Sequence, residues 1–156
     1  METNRYAPPG AAVEDLQEAG GAPPLWNPGA AANWSLLFTV VFGAWLHREN
    51  WRALGEPAKA EASRRWMIAA VLVLAVQVLV ILFSPTSRGV ALSNFLGALM
   101  LFVWYWASAR EQARLVKERW GGDYPRRPWA RPLLIGVLAY AGWYLVVAVV
   151  LSRQLG

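Results

Sequence analysis

Chemistry in an apolar chain shows itself as ionisable side chains set where they are costly, since intramembrane Asp, Glu, Lys, Arg and His mark ion pathways and proton relays. The four long apolar stretches of this sequence, 30–46, 66–83, 90–107 and 132–151, contain none of them. His47 is the only histidine and directly follows the first stretch. With no cysteine in the chain and no clustered carboxylate beside it, it is a poor metal ligand set and reads as an interfacial side chain. Glu49, Glu56 and Glu61 stand among arginines, which favours ion pairing over paired acid–base work. Ser84, Ser87, Ser93 and Ser108 have no histidine near them to activate a hydroxyl. No phosphate-cradling Walker loop or dinucleotide-binding glycine fingerprint occurs. The expectation is therefore no catalytic residue, no metal and no cofactor.

Three other groups of residues remain. Asn33, Gln77 and Asn94 are polar side chains inside apolar stretches. An amide at that depth needs a hydrogen-bond partner, and Tyr105 or Tyr140 is the expected one for Gln77. Gly89, Ser93 and Gly97 recur every four residues and form a small-residue stripe. Such stripes let helix backbones approach closely in lipid, against a helix of the same chain or of another protein. Arg126, Arg127, Trp129 and Arg131 interleave basic and aromatic groups with prolines at 123–132. They read either as a topology signal with aromatic anchors or as a contact for anionic lipid, where each basic group adds roughly 1 kcal/mol.

The elements that must carry these residues follow from length. The stretches 66–83 and 90–107 would each be about 27 Å long as helices, near the thickness of a bilayer's hydrocarbon core, with a Ser84–Gly89 turn between them. They form a transmembrane helical hairpin. The stretch 132–151 is a further span. The stretch 30–46 is marginal in length and the most polar, carrying Asn33, Ser35 and Thr39. It is read as a fourth span, with a re-entrant or surface-lying course as the alternative. Gly55 and Glu56-Pro57 separate it from the second helix, and Gly121-Gly122 stops an amphipathic continuation of the third. Asn33-Trp34 before Trp45 echoes Asn94-Phe95 before Trp106, which suggests two tandem hairpins. The fold class expected is all-α, a four-helix transmembrane bundle over residues 30–156.

Composition agrees with that class. Ten of 156 residues are Trp, a residue that prefers the headgroup level. The net charge of +5 is concentrated in two loops, so it reads as a membrane-orientation signal and not as nucleic-acid binding. Residues 1–29 are rich in Pro and Gly, acidic and poor in anything to bury, which predicts a disordered tail. Within it, Asn4-Arg5-Tyr6-Ala7-Pro8-Pro9-Gly10-Ala11-Ala12-Val13-Glu14-Asp15 resembles the N-x-Y-A-P-P-x-A-x-V-x-D leader of small bacterial inner-membrane proteins. That resemblance implies a Gram-negative inner membrane and covers the leader alone.

Basic residues in short loops stay cytoplasmic. Loop 47–65 holds Arg48, Arg52, Lys59, Arg64 and Arg65, and loop 108–131 holds Arg110, Arg114, Lys117, Arg119, Arg126, Arg127 and Arg131. Both are expected on the cytoplasmic side, with the 84–89 turn and the C-terminus periplasmic. If 30–46 is re-entrant, only the tail changes side. The expected role is that of a non-enzymatic structural or accessory subunit, packing its helices in the bilayer within a larger membrane complex or a homo-oligomer. The alternative is a small oligomeric transporter or channel for a small molecule or lipid, with a polar cavity near Gln77, Asn33 or Asn94.

Overall fold

The computed structural model of the chain describes residues 21–84 and 86–155, with backbone alone at 150, 151 and 153–155. The leader at 4–15 lies outside the described residues. The protein is all-α and has four helices long and apolar enough to cross a membrane, which makes it a multi-pass integral membrane protein. The helices are α1 (Pro28–Ala53), α2 (Pro57–Phe83), α3 (Ser87–Trp104) with its continuation α4 (Arg110–Trp120), and α5 (Ala130–Leu155). A single π turn, Tyr105–Ala109, joins α3 to α4.

Local chemistry accounts for the ends. The Asn27 side chain caps α1 by accepting from the Ala30 N–H at 3.1 Å, and Pro28 fills the first helical position, where no N–H is needed. Thr86 caps α3 in the same way through the Gly89 N–H at 3.2 Å. Gly55 and Gly121, at φ 70° and 61°, end α1 and α4 in a left-handed turn that a β-carbon would strain.

The decisive feature is in α1. Thr39 has φ 70° and ψ 169°, outside any helix, and the chain doubles back there. The Pro28 carbonyl accepts from His47 Nε2 at 3.2 Å. Nineteen residues of straight helix would hold those two apart by about 28 Å. Likewise Asn50 Oδ1 accepts from the Trp26 N–H at 3.1 Å, and Asn50 Nδ2 donates to the Trp26 carbonyl at 2.8 Å. Thus α1 is two antiparallel arms, 28–38 and 40–53, and both of its ends lie beside the basic loops. The shorter arm reaches only about 16 Å, roughly half the hydrocarbon depth. Of the two courses open to 30–46, the folded-back one is observed.

Two expectations change with this. The echo between Asn33-Trp34 and Asn94-Phe95 does not extend to the backbone, because α1 turns at Thr39 whereas α3 runs on without a break. The segment just before α1 also departs from the disorder expected up to residue 29. Leu25 is fully buried, and its N–H and C=O pair with the Pro125 carbonyl and the Arg127 N–H at 3.0 and 2.9 Å. A buried leucine and two backbone hydrogen bonds dock this segment on the loop before α5.

The core has two parts. Ala32, Val40 and Ala44 of α1 pack with Ala70 of α2, Trp104 and Ala109. On the other side Ala31, Phe42 and Leu46 gather Trp26, Trp34, Phe38, Trp45 and Trp129. Small residues let the two arms meet. A β-carbon on Gly43 would collide with the Ser35 hydroxyl of the opposite arm. The hairpin packs chiefly on α2, and α5 touches the rest more lightly.

Candidate functional site: a cavity at the tip of the hairpin

Because α1 stops halfway, the half of the bundle remote from the basic loops is left with a half-open cavity of about 430 Å³. It is bounded by the hairpin tip, α2, α3 and α5. Its hydrogen-bonding members are Ser35, Thr39, Gln77, Asn94, Tyr140, Trp143 and Tyr144, and no charged side chain lines it. Each arm of α1 ends here, and helix ends leave N–H and C=O groups without partners in their own helix. At membrane depth such backbone is tolerated only where protein buries it or a polar cavity meets it.

Gln77 is 8% exposed, and its Nε2 donates to the Ser93 carbonyl at 2.6 Å. The tyrosine partner expected for it is replaced by backbone, because Gly97 sits beside Gln77 and lets the amide reach across to α3. A β-carbon on Gly97 would come within 2.8 Å of Gln77 Nε2. Gly89 is likewise closed off, since a β-carbon there would collide with the Ser84 carbonyl. Ser93 is buried. The stripe Gly89, Ser93 and Gly97 therefore faces α2 of the same chain. Asn94, next to it, is exposed and lines the cavity, and among the described residues nothing in the chain bonds its amide. Asn33 is exposed on the first arm and does not line the cavity. Tyr140 donates to the Tyr144 hydroxyl at 3.1 Å along one face of α5.

The tip is held in place from the basic end. Gln112, fully buried on α4, donates through Nε2 to the His47 carbonyl at 2.9 Å and accepts from Asn50 Nδ2 at 3.2 Å. The ring of His47 meets that of Trp104 edge-on at 5.4 Å. The π turn at Tyr105–Ala109 lies between Trp104 and Gln112, and the extra residue it inserts sets the phase in which Gln112 meets the hairpin. Buried amides of this kind are costly unless bonded, so the network specifies one seat for α1 on α3 and α4. His47, read from the sequence as interfacial, is fully buried here.

The basic-aromatic loop does not act as one cluster. Trp129 turns inward onto Ala31, Phe42 and Leu46. Arg126 lies over Tyr124 at 5.8 Å, and Arg127 over Trp26 at 4.8 Å. Arg131 borders a separate hollow with Trp26 and Trp45. Among the described residues no group of three or more His, Cys, Asp or Glu is placed to hold a metal ion.

Sequence reasoning missed Thr39, Tyr140 and Tyr144 as cavity residues, and Asn50 and Gln112 as the polar seat. A usable signal was present in the flanks, where Trp26-Asn27 before the stretch mirrors Asn50-Trp51 after it. No family model matches the chain, and no curated protein or solved structure is similar enough to count as a match.

Proposed function

We propose that this integral membrane protein is a non-enzymatic carrier or channel for a small uncharged molecule, which occupies the cavity at the tip of α1. One observation carries the reading: a helix broken at half depth opens beside Gln77, Asn94, Tyr140 and Tyr144. The cavity volume lies in the range of small-molecule sites. The absence of charge in its wall favours neutral solutes that offer hydroxyl or amide groups. An accessory subunit would use its small-residue stripe against another protein, and here Gly89, Ser93 and Gly97 are taken up by α2.

In this reading α1 enters and leaves a bacterial inner membrane on the cytoplasmic face. The loops at 47–65 and 108–131 and the N-terminal tail share that face, and the C-terminus is periplasmic. The excess of Arg and Lys in those loops supports the orientation. Stopped-flow shrinkage of proteoliposomes in urea, glycerol and erythritol tests the function. We expect at least one solute to re-enter faster than in empty vesicles, and Asn94→Leu to slow it up to about tenfold, the net worth of one hydrogen bond. Permeability equal to that of empty vesicles for all three would overturn the reading.

A further inference from the structure

A groove runs along the outside of the bundle between the α1 hairpin and α5; it borders the solute cavity at Thr39, Tyr140, Trp143 and Tyr144 but does not depend on that cavity carrying a solute. Its mouth, at the basic end, is a hollow of about 260 Å³ bordered by Trp26, Glu49 and Arg131. At Trp45 and Ile135 this hollow meets a larger one of about 560 Å³. Along that second part α5 offers Ala139 and Gly142 as a floor of small residues, while the Phe38 ring packs onto Gly136. The facing wall is aromatic, made of Phe38, Phe42 and Trp45. From Arg131 to Gly142 is about 16 Å of helix, the hydrocarbon depth of one leaflet. The groove is thus as long as one acyl chain is deep, and its lining between the charged mouth and the Thr39, Tyr140 and Tyr144 hydroxyls at the far end is apolar.

Charge decides what heads the chain. Arg131 has no carboxylate partner among the described residues. Glu49 shares its hollow but is already paired with Arg48 and Arg52 at 3.1 and 3.3 Å. Arg127 lies over the ring of Trp26, another wall of the mouth, at 4.8 Å. Two guanidinium groups at headgroup level, above an apolar slot, fit a phosphate joined to an acyl chain. We propose that this groove holds one acyl chain of an anionic phospholipid from the adjoining leaflet, with its phosphate at Arg131 and Arg127.

Native mass spectrometry of the detergent-purified full chain, titrated with phosphatidylglycerol or phosphatidylcholine of the same acyl composition, tests this. The wild type should retain phosphatidylglycerol several-fold better. Arg131→Gln should reduce that preference roughly fivefold, the effect of one basic residue near an anionic headgroup, and Arg131→Lys should keep most of it. Gly142→Phe projects into the slot from a position where a β-carbon meets nothing within 4 Å; with a helical circular-dichroism spectrum matching the wild type, it should lower retention of both lipids. Excess inorganic phosphate should not displace the lipid. Equal retention of the two lipids by the wild type, an unchanged preference in Arg131→Gln, undiminished retention in Gly142→Phe, or displacement by phosphate alone would each overturn the proposal. Solute permeability is read separately with Asn94→Leu, so one proposal can fail while the other stands.

Discussion

Thr39 holds a backbone conformation that is essentially reserved for glycine, at a cost of about 1–3 kcal/mol. The surrounding contacts over-determine it: the arms on either side are pinned by His47 to Pro28 and by Asn50 to Trp26. Glycine at this position would remove the strain but would free the unfolded chain by roughly 0.5–1 kcal/mol. The first effect is the larger, so Thr39→Gly should stabilise the protein by about 1 kcal/mol, the difference of those two ranges. Thermal unfolding in detergent would show it as a midpoint a few degrees higher. In a straight helix the same substitution would destabilise by roughly 0.3 kcal/mol, so the sign of the shift reports the local geometry.

At the scale of the element, the two arms of α1 can meet because Gly43 faces Ser35. In a continuous helix those residues would be about 12 Å apart along the axis and could not touch. Gly→Ala in a helix interior ordinarily gains up to about 1 kcal/mol. Here Gly43→Ala should instead cost about 1–3 kcal/mol, since the new methyl group strikes Ser35 and Trp104. Gly142→Ala, open on α5, should show the ordinary gain. Denaturation midpoints of the two variants check the pair. The helices themselves were legible, since runs of this length without charge have few other solutions, and Gly55, Pro57 and Gly121 mark their ends. The break at Thr39 was not legible, because breaks are signalled by Gly or Pro and threonine is neither. The partner of Gln77 was hidden for a related reason. Its bond to the Ser93 carbonyl depends on the side-chain room left by Gly97, a tertiary contact with no counterpart in local spacing.

For the whole molecule, the folded α1 changes both topology and content. Three helices pass through the bundle from end to end, and the half-length hairpin leaves the space that becomes the cavity. The polar seat formed by Asn50, Gln112 and the His47 carbonyl holds the hairpin against α4, so the depth of the tip follows from contacts at the basic end. The cavity and the outer groove then meet at the tip of this element, where both are lined by Thr39, Tyr140 and Tyr144. The central claim is that α1 returns to the side from which it starts. The chain has no cysteine, so single cysteines can be introduced without background. We would place them at Gly21, Ala58 and Thr86, all exposed, and label intact cells and inverted vesicles with a membrane-impermeant maleimide. The account predicts that Gly21→Cys and Ala58→Cys react from the same side and Thr86→Cys from the other. Labelling of Gly21→Cys and Ala58→Cys from opposite sides would contradict it.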